Sequence, residues 1–438
     1  MKGYQSMRAK TAHLPEQSSF LPAEKVATVN SKNGTLGLTF RDSKKLPVHG
    51  WFPYVEGFSA KYISELIREH GKDGIVYDPF GGSGTVNLLA SLNGIPSAFS
   101  EANPFMRFVA ETKINARLIA HKEFPEFQKS LSRLRSWIRD GSLQQSAKMQ
   151  DLGTYHSAFA GRDFFEEKDI RDLQALKNFL PEVGARNPAF QQIFLLAIAS
   201  VTVSCSNMTR RADLRRRRPD EYIGRTVNVG SSVLEKLAQM EQDIYLAPVR
   251  YAPAVFATAD SRHRKSNMEK KVSLVLTSPP YLNGTNYIRN TKLELWLTGL
   301  IDSEDDLPLL NKICMVCGIN NVVKGRPVSH RFDEVESVAS QLEQVSPDLR
   351  IPAMVRGYFS DMYDVLSNCS SYLTDRGRII LDIGDSKFYG VHVPTDKILV
   401  RVANAAGLKL QSEKLLARRH SRDKTPLIQS ELTFTHAA

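Results

Sequence analysis

The sequence predicts a doubly wound α/β sheet that carries a mostly helical inserted module. Three observations predict it. Short apolar runs of strand length alternate with helical stretches towards both ends of the chain. Two loops of unusual composition, DPFGGSGT and TSPPY, each follow directly on one of those runs. Between them, from about residue 115 to residue 247, apolar residues recur at helical spacing and strand signals are scarce.

Taken in order, residues 1–46 are polar and aperiodic and read as an arm. The aromatic, proline-bearing stretch His49–Phe58, HGWFPYVEGF, leads into a helix expected over 60–70. A strand is expected over 74–77, a glycine-dense turn over 80–84, a helix over 85–93 and a second strand over 97–99, ending at Glu101. This is a βαβ unit with parallel strands and a right-handed crossover. After the helical insertion, 116–250, strands are expected over 255–257 and 272–276, the second running straight into TSPPY. The polar stretch 301–349 shows no convincing period. A helix over 354–373, a strand over 378–383, a helix over 395–406 and strands near Leu408 and over 427–434 complete the pattern.

Composition narrows the class. With 438 residues, 42% hydrophobic and 24% charged, the chain is globular and suits one large domain with insertions, or two domains. No apolar run approaches the roughly 18 residues of a membrane span, and MKGYQSMRAKTAHLPEQSSF lacks the apolar core of a secretory leader. Four cysteines make no disulfide framework, which points to the cytoplasm. A net charge of +11 favours a polyanionic partner without naming one.

In a doubly wound sheet ligands bind at the carboxyl ends of the strands, where both loops are expected. The first runs Asp78, Pro79, Phe80, Gly81, Gly82, Ser83, Gly84, Thr85. Its glycines let the backbone approach a ligand closely, and the following helix offers free N–H groups. The spacing is neither G-x-G-x-x-G nor a P-loop, since no Lys follows the last glycine. An ordinary strand-to-helix turn is the plain alternative. Against it, Glu101 ends the next strand, where a ribose diol would be held. The second loop is Thr277, Ser278, Pro279, Pro280, Tyr281. Consecutive prolines remove two donors and fix the direction of the carbonyls. A ligand amino group can donate to the Ser278 hydroxyl and the Pro279 carbonyl, with Tyr281 stacked on its ring. The plain alternative is a loop that caps a strand.

DPFGGSGT followed by TSPPY resembles the S-adenosylmethionine-dependent amino-methyltransferases of DNA. The resemblance implies a Rossmann-like methyltransferase sheet and a cofactor set of Phe58, Asp78, Pro79, Phe80, Gly81, Gly82, Gly84, Thr85 and Glu101. Asp260, in FATADS, falls where that family meets the adenine amino group. Catalysis is implied for Ser278, Pro279, Pro280 and Tyr281, and HGWFPYVEGFS resembles the motif that closes over the methionine part of the cofactor. SPPY is the form typical of cytosine-N4 enzymes, and LNGTNYIRNTKLELWLTGL is similar to the stretch that follows it there. The implied reaction is methyl transfer to N4 of a cytosine flipped out of double-stranded DNA. Adenine N6 is the near rival; an RNA-base enzyme and an inactive DNA-binding relative stand further off. The cofactor loop precedes the tetrapeptide, the reverse of the usual cytosine-N4 order, which leaves the base-reading region open between 116–250 and 302–349. The implied organisation is an arm, 1–46, a catalytic domain, 47–115 with 251–438, and a DNA-binding insertion, 116–250. A companion restriction endonuclease belongs to the same picture, and a monomer or weak dimer is expected.

Arg210, Arg211, Arg215, Arg216, Arg217 and Arg218 put six arginines within nine residues. They repel one another unless an anion relieves them, and DNA phosphate is the functional reading. A solvated face, or ion pairs with Asp213, Asp220 and Glu221, is the alternative. Arg262, His263, Arg264 and Lys265 form a second basic cluster. Cys314 and Cys317 have the spacing of half a zinc site, but the two other cysteines are Cys205 and Cys369, and no metal is expected. No Pro-Cys dipeptide occurs, which argues against carbon-5 methylation.

Overall fold

A strand buried on both faces reads as an unbroken apolar run, and Val272–Thr277 is buried at all six positions. It stands next to Ile75–Asp78 at the centre of the sheet. In the structure, a computed structural model, residues 46–52, 60–210, 213–246, 252–263, 272–282, 286–323, 326–420 and 425–437 are described. They belong to one compact unit, Gly37–Ala438.

The strands are β1 (Ile75–Asp78), β2 (Ser97–Phe99), β3 (Met208–Arg210), β4 (Leu214–Arg216), β5 (Ala254–Phe256), β6 (Val272–Thr277), β7 (Leu373–Gly384), β8 (Ser386–Phe388), β9 (Val391–Val393), β10 (Leu408–His420) and β11 (Pro426–His436). Seven of them form one sheet in the order β10-β11-β7-β6-β1-β2-β5. The strands from β7 to β5 are parallel to their neighbours. β11 runs antiparallel between β7 and β10. From β1 the chain moves outward to β2 and β5, then returns to β6 on the other side of β1. The switch point therefore lies between β1 and β6, and the crevice outside their carboxyl ends is the ligand position of such sheets.

Both faces of the sheet are covered, as the alternation of strand side chains requires. Val76, Leu274, Leu276 and Ile380 pack with Ile63, Ile67 and Tyr62 of the helix α1 (Ala60–His70) and with Val86 of α2 (Thr85–Leu92). Their neighbours Tyr77, Val275, Ile379 and Leu381 face the opposite way, towards the helices Arg350–Tyr372 and Thr395–Ala405. The doubly wound sheet expected from the sequence is present. Between β2 and β5 the chain is mostly helical, and its core runs on from α3 (Pro104–Glu111) through Leu131, Leu173, Phe190 and Leu237. Among the described residues no helix is long and apolar enough to cross a membrane.

Three elements differ from expectation. Arg210, Arg215 and Arg216 of the arginine run lie on an antiparallel ribbon, β3 with β4, where helix was expected. Its strands have three residues each, too short to show a period of two. The stretch 301–349 holds the helices Asp306–Ile313 and Asp333–Val345. The second buries Val335, Val338, Ala339 and Leu342, a helical spacing hidden by the polar residues around it. A hairpin, β8 with β9, follows β7 and turns at Tyr389 and Gly390, both at positive φ.

Candidate active site

β1 ends at Asp78, and the next six residues turn into α2. Asp78 is buried, and its Oδ1 accepts from the Phe80 N–H at 3.0 Å and the Thr277 hydroxyl at 2.7 Å. Thr277 is the last residue of β6, so this carboxylate ties the two motif loops together at their roots. Burial pushes it up to about 6, against the pull of those two hydrogen bonds. Gly84 sits at φ +79°, and a Cβ there would lie 2.9 Å from the Ala110 Cβ of α3. A Cβ at Gly81 would meet the Phe99 ring at 2.8 Å. Close strand–loop–helix packing thus requires these two glycines, beyond any ligand. Gly82 donates its N–H to Glu101 Oε2 at 2.7 Å, and the Asn103 N–H reaches Oε1 at 2.8 Å. Enclosure pushes the Glu101 carboxyl up to about 7, the main-chain donors offsetting part of the effect. Asn103 caps α3 ahead of Pro104, a signal present in the sequence ANPF.

The second loop faces the first. Ser278 and Pro280 line the same cavity as Asp78, Phe80, Gly82 and Glu101. That cavity encloses about 940 Å³ of empty space, part of it open to solvent. Pro79, Gly81 and Thr85 also line it. Pro279 is buried beneath the loop. The Tyr281 hydroxyl donates to Asp382 Oδ1 on β7 at 3.0 Å, and Gln429 of β11 donates to the same oxygen at 2.6 Å. Tyr281 is therefore anchored on the strand side of the loop. Tyr287, which sequence reasoning left unassigned, lines the cavity in its place.

The far wall was illegible beforehand. Arg262 stood out in the sequence only as part of a second basic cluster, and in the structure it is an internal ion pair. Its Nε and Nη2 reach the Asp260 carboxylate at 2.8 and 2.7 Å, and Nη2 also donates to the Ile313 carbonyl at 3.0 Å. Nη1 meets Asp361 at 3.2 Å, which also accepts from Arg326 at 2.5 Å and the Val316 N–H at 2.8 Å. The Arg262 side chain is 8% exposed, and it holds Ile313–Cys317 against the cavity. Burial pushes the Asp260 carboxyl up, but the hydrogen bonds and charge of Arg262 outweigh it and hold the group below its usual range. Cys314 lines the wall, and burial raises its thiol to about 12, so it stays protonated. Among the described residues no three His, Cys, Asp or Glu side chains are grouped as metal ligands.

Phe58, Arg211, Arg264 and Lys265 lie outside the described residues. The arginine run divides. Arg210 reaches both Glu294 oxygens at 2.7 and 2.8 Å and the Asn290 carbonyl at 2.6 Å, and Glu294 is 1% exposed. Arg215 forks onto Glu221 at 2.7 and 2.8 Å. Arg210 is an internal ion pair on a buried carboxylate, which corrects the phosphate expectation for it, whereas Arg215 is paired with Glu221 at the surface. Arg217 is partly buried against the Ser206 carbonyl, whereas Arg216 and Arg218 are exposed.

No protein-family model matches the sequence. It is 22% identical to the type II methyltransferase M.AvaI of Nostoc sp. (strain PCC 7120), over 86% of this chain and 82% of that protein. It is 24% identical to the type II methyltransferase M.BsoBI of Geobacillus stearothermophilus, over 85% of this chain and 81% of that one. The chain is thus similar to type II methyltransferases over most of its length. S-adenosylmethionine is accordingly its cofactor. Solved structures with some similarity are TrmN from Thermus thermophilus, 10% identical with a TM-score of 0.29 over 86% of this chain and 49% of that one, and the rRNA methyltransferase aviRa from Streptomyces viridochromogenes, 11% identical with a TM-score of 0.26 over 86% and 87%.

The cavity fits that cofactor. The Glu101 carboxylate is bound by main-chain N–H groups and keeps lone pairs for ribose hydroxyls. Asp260 also lines the cavity, just past the end of the neighbouring strand β5, and Phe80, Ile313 and Met315 supply apolar surface for a purine.

Proposed function

We propose that this chain is an S-adenosylmethionine-dependent DNA methyltransferase that modifies the exocyclic N4 of a cytosine flipped out of the duplex. One observation carries the reading. The glycine loop and the Ser-Pro-Pro-Tyr loop leave the carboxyl ends of adjacent parallel strands, are tied by the Asp78–Thr277 hydrogen bond, and line one cavity. The Ser form of the tetrapeptide supports cytosine N4 over adenine N6, and the relatives named type II methyltransferases support DNA as substrate, with a companion restriction endonuclease.

When bound, the cofactor supplies an electrophilic methyl on a sulfonium. The chain supplies position. Glu101 takes the ribose, and Asp260, steadied by Arg262, takes the adenine end. An exocyclic amine is a poor nucleophile because its lone pair is delocalised into the ring. The Ser278 hydroxyl and the Pro279 carbonyl accept its two hydrogens and turn the lone pair towards the methyl. Tyr287, which lines the cavity, offers a flat face to the everted base, while Asp382 holds Tyr281 on the strand side of the loop. Ser278 is neutral and no strong base, so the proton leaves to solvent after transfer. Orientation and stabilisation of developing positive charge provide the rate. Residues 47–115 with 251–438 form the catalytic part, 116–250 contributes DNA contacts, and one copy of the chain suffices.

Transfer of a labelled methyl group to unmodified duplex DNA, followed by mass analysis of the nucleosides, tests the reading. N4-methylcytosine is expected. N6-methyladenine moves the assignment to the rival base, and no transfer by a protein that binds S-adenosylhomocysteine overturns it.

A further inference from the structure

We propose that Arg162, Arg216, Arg289 and Lys292 form a single basic patch beside the catalytic tetrapeptide that grips the sugar–phosphate backbone of DNA. The proposal rests on the reading above and names the surface by which that substrate is held. Sequence order groups only Arg289 with Lys292. Arg162 follows the helix Gly153–Phe159, Arg216 ends β4, and the other two sit on the short helices Tyr287–Asn290 and Lys292–Leu297.

Specific contacts bring the three stretches together. The ribbon is fastened to the post-tetrapeptide helices by Arg210 on Glu294 and by the Leu214 N–H on Asn290 Oδ1 at 2.8 Å. Lys292 lies with its Nζ 3.9 Å from the Phe164 ring centre and 5.6 Å from that of Phe159, which fixes it beside the loop of Arg162. Partial burial, then the charges of Arg162 and Arg289, push the Lys292 ammonium down to about 8, so this ammonium feels both guanidinia. Arg216 joins the group through Asp163, the residue after Arg162, at 3.8 Å.

Compensation is weak. The carboxylates on the patch are Asp163 and Glu304, the latter 3.9 Å from Arg162, and both are more than half exposed. Such loose, solvated pairs contribute little and are readily exchanged for phosphate. Arg289 is exposed. Its helix begins with Tyr287, a lining residue of the cavity, so a strand whose base entered the site would pass its flanking phosphates over this surface. The contrast with Arg210 and Arg215 is chemical, because those guanidinia are already neutralised.

The test uses the full chain with S-adenosylhomocysteine and a fluorescent duplex, and measures affinity between about 50 and 200 mM salt. Each lost phosphate contact lowers the slope of log K against log salt by roughly 0.9. The double variant Arg216→Gln/Arg289→Gln should lose roughly 2 from the slope and bind at least about tenfold more weakly, with an unchanged Kd for S-adenosylhomocysteine. Arg171→Gln, a half-buried cation paired with Glu167 one turn earlier on the same helix, should leave the slope as in the wild type. If the wild type binds duplex DNA and the double variant matches its slope, the patch is overturned while the proposed reaction stands. If the wild type binds no duplex at all, both fall.

Discussion

Replacing Glu101 by Gln separates fold stability from cofactor affinity through one carboxyl group. Enclosure raises that group from 4.5 to about 7, so the folded protein holds its proton more tightly than the unfolded chain does. The stability this lends is fully present below pH 4.5 and is lost as pH rises through about 7. A shift of that size corresponds to about 3 kcal/mol, an upper figure because cavity water screens part of it. In Glu101→Gln this pH-dependent loss disappears. Asp78 is raised to about 6 by burial and titrates in the same direction in both proteins, so the difference between them isolates Glu101. Affinity runs the opposite way. Ribose hydroxyls donate to the ionised carboxylate, so binding by the wild type strengthens as the proton leaves. Losing two charge-assisted hydrogen bonds corresponds to about 3 kcal/mol, or roughly a hundredfold in Kd above neutral pH. Thermal unfolding across the acid-to-neutral range reads the first effect. Calorimetric titration with S-adenosylhomocysteine, in buffers of different ionisation enthalpy, reads the second together with the released proton. Parallel stability profiles for the two proteins, or a shared Kd above neutral pH, would refute the reasoning.

Other perturbations follow from the same geometry. Ser278→Ala should keep S-adenosylhomocysteine affinity within about twofold and lose roughly a hundredfold in single-turnover methyl transfer, as removal of one positioned polar group does elsewhere. Unchanged turnover would remove Ser278 from the chemistry. Arg262→Ala frees Ile313–Cys317 from its strut, and its cost should appear as about tenfold weaker binding of both S-adenosylhomocysteine and 5′-methylthioadenosine. Arg210→Ala strands Glu294 as an uncompensated buried charge and should cost about 3 kcal/mol in urea unfolding, whereas exposed Arg216→Ala should stay within about 0.5 kcal/mol. Gly84→Ala forces a side chain into positive φ and against Ala110, and a drop of about 2 kcal/mol in the same assay is expected.

What the sequence disclosed was local. α1 coincides with its expected range, 60–70, because its buried positions Ile63, Leu66 and Ile67 repeat at helical spacing. Asp78, Glu101 and Ser278, which line one cavity, were singled out by their places at strand ends, since ligands gather there in any doubly wound sheet. The far wall was not disclosed, because Ile313–Cys317 reaches the cavity only through Arg262 and Asp361, contacts 51 and 45 residues apart in sequence. The arginine run misled for a related reason. Charge density is visible in a sequence, but neutralisation by Glu294, 84 residues from Arg210, is not. The helix Asp333–Val345 is a different failure, since its spacing was present and its polar composition hid it.

The unusual motif order has a structural resolution. The chain between β2 and β5 separates the cofactor loop from the tetrapeptide in sequence, which invites the idea that its arginines serve a remote surface. The ribbon instead closes on Asn290 and Glu294, directly beyond the tetrapeptide, through Arg210 and Leu214. A segment inserted between the two motifs thereby ends beside the second of them. The contacts at the tetrapeptide depend on which surfaces meet there, and the order in which the chain visits them is free to vary. On this view the arginines of the ribbon divide their work by depth: the buried Arg210 fastens the ribbon, and the exposed Arg216 is the one proposed to meet the DNA backbone.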